Sequence, residues 1–195
     1  MEKHWADHYK RVFGNQAELE GNIFRHEVFI EELARWVISG SRVLEIGTGS
    51  GSLAFPIAQA GVKVVSLDYE QEILDMAKVN AGLFNLDIEY VLGDALKLPY
   101  GDGEFDLAYS HGLVEHFEEG EFLQVVSEHR RVAKMVVIGI PLKGCQDGFF
   151  GNERWFGRVE WEKRFEKLGL VKSFAYLVGD LLSVTLKGKV VGAGD

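Results

Sequence analysis

The run VLEIGTGSG at 43–51 constrains this chain more than any other stretch. Residues of strand character, RVLEI, lead straight into Gly47-Thr48-Gly49-Ser50-Gly51, and an apolar pattern resumes beyond them. Closely spaced glycines let a backbone reverse sharply and let a ligand approach, because no Cβ stands in the way. A helix opening just after such a turn presents unpaired amide N–H groups at its start. Strand, glycine turn and helix in succession are the entry to a parallel α/β sheet.

The rest of the chain alternates in keeping with that start. Trp5, Tyr9, Val12 and Phe13 fall on one stripe of an N-terminal helix. A second helix is predicted over 22–38, with Phe29, Leu33, Trp36 and Val37 inward and Gly40 as its left-handed stop. Strands follow at 42–46, 62–67, 88–92, 105–109 and 135–140, with helices at 51–60, 70–81 and 121–133 between them. Pro56 is expected to bend the first of these helices. Asp68 is placed to cap the second, which turns Ile73, Met76 and Ala77 inward. MVVIGI at 135–140 is apolar on both faces, as suits a strand covered by helices on two sides. A helix at 159–168 carries Trp161, Phe165 and Leu168 on one stripe. It precedes two β-rich runs, 170–177 and 181–186, that read as a hairpin across Gly179-Asp180. The expected fold class is α/β, a doubly wound, mostly parallel sheet with helices on both faces.

A chain of 195 residues suits one domain with a sizeable core. The expected division is N-terminal helices at 1–39, forming a lid or simply packing, a core at 40–187 and a tail at 188–195. The 30 acidic and 21 basic side chains leave a formal charge of −9. Such a surface repels phosphate backbones unless its cations cluster. The densest basic groups, Arg130, Arg131 and Lys134, and Lys163, Arg164 and Lys167, lie on predicted helices among acidic neighbours. They read as solvated faces, which argues against a nucleic-acid partner. One cysteine, Cys145, permits no intrachain disulfide and suits a reducing cytosol. The N-terminal residues carry no signal-peptide pattern, and no apolar run approaches a membrane span. His4 and His8 stand at i and i+4, but no further ligand motif supports a metal site there.

Asp68 follows the glycine turn by about 20 residues, at the end of the next predicted strand, where a carboxylate can accept hydrogen bonds from ribose hydroxyls. Turn and acid together indicate a ligand containing a nucleoside. A dinucleotide turn prefers G-x-G-x-x-G, and Ser52 occupies the last position here. Glu45 ahead of the glycines repels a diphosphate and tolerates an ammonium or sulfonium ligand, although it can equally be structural.

At this point the chain resembles the Rossmann-like (class I) S-adenosylmethionine-dependent methyltransferase family. VLEIGTGSG, LDYE at 67–70, GDALKLPYGDGEFDLAYS at 93–110 and HGLVEHF at 111–117 occur in that family's order and at its spacing. The resemblance covers about residues 40–187. It implies a seven-stranded sheet in the order 3-2-1-4-5-7-6 and S-adenosylmethionine as cofactor. It further implies that Gly47, Thr48, Gly49 and Gly51 line the methionine and ribose portion. Glu45 would hold the loop and help orient the methionine amine, and Asp68 would bind the ribose. Tyr69 would pack on the adenine, Asp94 would accept from its amino group beside Ala95, and Ser110 would meet the methionine end.

Methyl transfer requires alignment of acceptor and methyl group, and a base only where the acceptor loses a proton. His111 and His116 cluster with Glu115 at the ligand edge of the sheet, and the two histidines are the candidate bases. The Asn/Asp-Pro-Pro-aromatic motif of nucleic-acid N-methylating enzymes is absent, since Ser110-His111-Gly112-Leu113 stands in its place. Cys145 lacks the Pro-Cys context of cytosine-C5 enzymes and reads as packing. The segment 144–156, with Phe149, Phe150, Trp155 and Phe156, is a candidate substrate loop. The expectation is a methyltransferase with a small-molecule acceptor. Two rivals are a non-catalytic S-adenosylmethionine-binding protein and an NAD-dependent oxidoreductase. Against the latter, none of the six tyrosines has lysine four residues on.

Overall fold

The computed structural model describes residues 5–13, 15–145, 153–177 and 181–188. Three helices come first: α1 (Trp5–Val12), α2 (Gln16–Arg25) and α3 (Glu27–Ala34). The core follows as β1 (Arg42–Ile46), α4 (Phe55–Gln59), β2 (Lys63–Asp68), α5 (Gln71–Gly82), β3 (Glu89–Leu92) and β4 (Phe105–His111). It closes with α6 (Glu119–Val132), β5 (Ala133–Pro141), α7 (Arg158–Glu166), β6 (Leu170–Tyr176) and β7 (Leu181–Lys187). The seven strands form one sheet in the order β3-β2-β1-β4-β5-β7-β6. β1 to β5 run parallel, and β7 lies antiparallel between β5 and β6. The turn expected at Gly179-Asp180 lies outside the described residues, as do His4, Phe149, Phe150 and 189–195.

Each face of the sheet buries its own cluster, because alternate side chains of a strand point to opposite sides. Leu44, Ile46, Ala108, Val136 and Ile138 pack with Phe122, Val125 and Val126 of α6 and Trp161 and Phe165 of α7. On the other face Val43, Val64, Leu107, Tyr109 and Val137 pack with Leu19, Phe29, Leu33 and Phe55. β5 is buried through Val136–Ile140 on both faces, as its unbroken apolar run requires. No helix among the described residues is long and apolar enough to cross a membrane.

Five local expectations are corrected. The helix predicted over 22–38 is two helices with a break at His26 (φ −104°, ψ 17°), and it stops at Ala34. The break carries the His26 ring inward, edge-on to His111 with centroids 4.4 Å apart. Gly40 is left-handed (φ 88°), but in the turn before β1 and not as a helix stop. The helix expected over 51–60 opens as a 3₁₀ turn, Ser52–Ala54, and α4 begins only at Phe55. Pro56 therefore sits in the first turn of α4, where its missing N–H breaks no bond, and it bends nothing. Asp68 does not fill the cap position of α5; that residue is Glu70, whose amide N–H donates to Asp68 Oδ1 at 3.1 Å.

The basic group at 130–134 is engaged locally. Arg131 donates to Glu128, to Asp102 and to the carbonyls of Leu98 and Tyr100, which pins the loop before β4. Lys134 pairs with Asp106 at 2.7 Å, and Arg130 donates to the Lys187 carbonyl.

Phe122 is fully buried, with its ring centroid 5.8 Å from Trp161 and 5.4 Å from Phe165. Phe122→Ala leaves a cavity under α6 and is expected to cost about 3–5 kcal/mol. Urea unfolding of the two proteins, read as a shift of midpoint at unchanged slope, measures it.

Candidate functional site

The site lies where the strand order reverses, between the C-terminal ends of β1 and β4. On the β1 side the chain turns through Gly47, Gly49 and Gly51, all at positive φ (80°, 54° and 78°). The amides of Gly47 and Thr48 both donate to the Leu67 carbonyl, at 2.8 and 3.2 Å, which folds the turn over the end of β2. Asn80 of α5 donates to the Ser50 carbonyl at 2.9 Å, and Asn22 of α2 donates to Ser52 Oγ at 2.8 Å. A Cβ on Gly51 would stand 3.1 Å from Ala77, so glycine there admits α5. A Cβ on Gly49 would stand 2.8 Å from the Tyr9 ring, so α1 lies directly over the turn.

Glu45 is buried in the middle of the sheet. Its cross-strand neighbours in register are Ser66 on β2 and Tyr109 on β4. Both donate to its carboxyl, Ser66 Oγ at 2.6 Å and Tyr109 Oη at 2.9 Å. Burial pushes the Glu45 pKa up to about 8, against the downward pull of those two bonds. Asp68 accepts from the Glu70 amide and, at 3.5 Å, from the Gly49 amide. Burial raises its pKa to about 6.

Two chambers open on this turn. The smaller, about 410 Å³, is lined by Gly47, Gly49, Asp68, Tyr69, Asp94 and Ala95, among others. Tyr69 is exposed, and Asp94 Oδ1 accepts from the Leu96 amide at 2.8 Å. The larger, about 870 Å³, reaches from Glu45, Thr48 and Gly49 past His26 and Glu115 to Trp155. Trp5, Tyr9, His111, Gly112 and His116 border both chambers. Thr48 Oγ1 is buried in the larger one with no hydrogen-bond partner among the described residues.

The segment after β4 carries the candidate bases. His111 Nε2 lies 2.7 Å from Tyr176 Oη, and its ring packs on His26 and Phe29. A Cβ on Gly139 would fall 2.2 Å from that ring, so β5 needs glycine there to seat it. Burial drives the His111 pKa well below its usual value, with His26 adding to the effect, and the ring is neutral. His116 packs edge-on against Trp5 at 4.8 Å, and its Nε2 is 3.9 Å from Glu115 Oε1.

Two of the sequence-derived site residues border neither chamber. Gly51 acts through the backbone turn. Ser110 is fully buried, with its Oγ 3.1 Å from His129 Nε2. His129 Nδ1 faces the Val125 carbonyl at 2.8 Å. A carbonyl only accepts, so Nδ1 carries the proton and Ser110 donates to Nε2. Burial holds His129 near a pKa of about 4, hence neutral. Sequence reasoning missed Asn22 and Asn80, whose bonds to the turn span 30 residues. It also missed Gly93, where a Cβ would stand 2.7 Å from Leu67. No group of three or more metal-ligating side chains occurs among the described residues.

Residues 43–135 match a family model described as a methyltransferase domain. An uncharacterized methyltransferase of Synechocystis sp. is 33% identical over 109 residues, 56% of this chain and 49% of that protein. A demethylmenaquinone methyltransferase of Deinococcus radiodurans is 40% identical over 90 residues, 40% of this chain and 37% of that protein. The chain thus spans about half the length, or less, of these curated relatives. The structure of a SAM-dependent methyltransferase from Aquifex aeolicus shares the fold, with a TM-score of 0.74 at 21% identity over 94% of this chain and 98% of that one.

The raised carboxyl groups set a pH dependence. Glu45, at about 8 against the usual 4.5, holds its proton more tightly folded than unfolded. Its contribution to stability is complete below about pH 4.5 and is lost as pH climbs through about 8. Asp68 adds a smaller loss through about pH 6. Thermal midpoints should therefore fall as pH rises over this window, and Glu45→Gln, which cannot ionise, should flatten the decline.

Proposed function

We propose that this chain is a Rossmann-like (class I) S-adenosylmethionine-dependent methyltransferase, in keeping with the methyltransferase-domain match and the shared fold, and that it binds S-adenosylmethionine on the glycine turn and methylates a small organic acceptor. The observation that carries the reading is the convergence of the two chambers on Gly47 and Gly49. One chamber has the ribose-binding carboxylate Asp68 at its wall, and the other has room for a second molecule. The matched relative named for demethylmenaquinone supports an acceptor of small-molecule size.

The residues present suit that cofactor. Asp68, at the wall of the smaller chamber, accepts from the ribose hydroxyls. Tyr69 offers its exposed ring face to the adenine, and Asp94, beside Ala95, offers an acceptor for its amino group. Gly47, Thr48, Gly49 and Gly51 shape the turn that receives the methionine portion, with the buried Thr48 hydroxyl as a donor in want of an acceptor. Glu45 and Ser110 support it from beneath, Glu45 by tying three strands and Ser110 through His129. When bound, S-adenosylmethionine supplies an electrophilic methyl group on a sulfonium centre.

The chain's own part is to align, to exclude water and to hold protons. α1 performs the exclusion, with Trp5 and Tyr9 bordering both chambers as a lid. His116, at the junction, is the group placed to take a proton from the acceptor. His111, neutral and bonded to Tyr176, fixes the chamber wall and presents a polar edge. The segment around Trp155 closes the far end. A cytoplasmic location belongs to the same reading, and the single Cys145 suits a reducing compartment.

Calorimetric titration with S-adenosylhomocysteine, with NADH as control, tests the proposal. Saturable binding of the sulfur ligand is expected, weakened about 10- to 100-fold in Asp68→Ala, the cost of losing a hydrogen bond to a charged group. Binding of NADH in place of S-adenosylhomocysteine would sink it.

A further inference from the structure

The larger chamber holds a carboxyl oxygen with nothing to bind. Glu115 is 2% exposed, and its Oε2 has no hydrogen-bond partner among the described residues. Leaving such a group unsatisfied is costly, and a ligand that satisfies it recovers that cost. The 3₁₀ turn Val114–His116 places it: Gly112, left-handed at φ 65°, lets the chain double back so that a Cβ there would meet Glu115 Oε1 at 3.7 Å. Oε1 faces His116, and Glu115 lines the larger chamber but not the smaller one.

The surroundings can accommodate positive charge. The chamber's wall carries four carboxyl groups, Glu18 and Glu153 together with Glu45 and Glu115, which hold their protons until a cation or a rise in pH draws them off, against one guanidinium, Arg25. Trp5, Tyr9, Phe13 and Trp155 add aromatic faces, which attract a cation through their quadrupoles. We propose that this chamber receives a small, largely apolar molecule carrying a protonated amine, and that Glu115 Oε2 is its hydrogen-bond acceptor and counter-ion. The inference rests on the methyltransferase reading, for which this molecule is the methyl acceptor, and gives that acceptor a chemical class. The roles are distinct: Glu115 binds and orients the amine, and His116 next to it remains the proton acceptor.

Binding is coupled to protons. Burial, with the field of Glu153 added, pushes the Glu115 pKa up to about 8, so that the carboxyl is largely protonated at neutral pH. The groups near it are His116 on its own turn, Tyr9 of α1 and Glu153 with the Arg154 backbone, whose amide donates to the Glu115 carbonyl at 2.8 Å, and Glu45 of β1 and His111 of β4 line the same chamber. Among the described residues that line the chamber, Arg25 is the one that carries a fixed positive charge. A docked ammonium supplies another, so the amine should release a proton on binding and bind more tightly as pH rises from 6 toward 8.

The test is calorimetry of the full chain saturated with S-adenosylhomocysteine, with phenethylamine hydrochloride as probe. Its uncharged and anionic analogues, 2-phenylethanol and 3-phenylpropionate, serve as controls. Runs at neutral pH in two buffers of different ionisation enthalpy report the proton count. Phenethylamine should bind at least about tenfold more tightly than either analogue and release a fraction of a proton. Glu115→Gln should lose both the preference and the release, with its fold checked by S-adenosylhomocysteine titration and thermal melting. Absent amine binding, equal binding of an analogue, or an E115Q protein that keeps the preference overturns the inference. If S-adenosylhomocysteine binds in those cases, the cofactor reading stands and only the acceptor class falls. If S-adenosylhomocysteine itself fails to bind, both fall together.

Discussion

A single carboxyl group in the middle of the sheet, that of Glu45, sets the position of everything at the ligand edge. It accepts from Ser66 on one neighbouring strand and from Tyr109 on the other, and both are its partners in register. A slip of one residue in either strand would carry its donor to the opposite face and leave that hydroxyl and one oxygen of the Glu45 carboxyl without their bond. The register so fixed delivers Gly47 to the Leu67 carbonyl and His111 to the seat that Gly139 leaves open. The turn after β1 and the segment after β4 then face each other across the point where the strand order reverses.

The same edge gathers carboxyl groups that the fold alone makes costly. Glu45, Asp68 and Glu115 are all buried, and all have raised proton affinity for that reason. Such a cluster destabilises the unliganded chain when ionised and complements a ligand that brings positive charge. The neighbouring histidines do not offset it, because burial keeps His111 and His129 neutral. Aromatic rings of α1 cover the cluster, and Tyr9 rests on Gly49 where any side chain would collide with it. Stability and recognition therefore pull in opposite directions at this edge, as is common where groups are arranged for a ligand.

Much of this could be read from residue patterns. The strand–helix alternation follows from VLEIGTGSG, the strand-end Asp68 and the apolar MVVIGI run, which encode period and burial locally, whereas the sheet order comes only with the family resemblance those motifs carry. The failures share a cause, in that a distant partner decided the matter. The apolar period runs unbroken across His26, yet the helix breaks there because the ring packs on His111. Pro56 signals a bend only if the helix begins at Gly51, and a 3₁₀ turn displaces that start. Ser110 stands at the expected strand end, but the bond to His129 draws it under the sheet. Glu115 gives no local sign of its isolation, since its burial depends on the turn at Gly112 and on the Arg154 segment crossing over it.

The most direct test of the account is a crystal structure of the chain with S-adenosylhomocysteine bound. The account predicts ribose hydroxyls within hydrogen-bond distance of Asp68, adenine beside Tyr69 and Asp94, and the sulfur at the junction of the two chambers near Gly47 and His111. A ligand seated elsewhere, or one whose ribose lies away from Asp68, would contradict it.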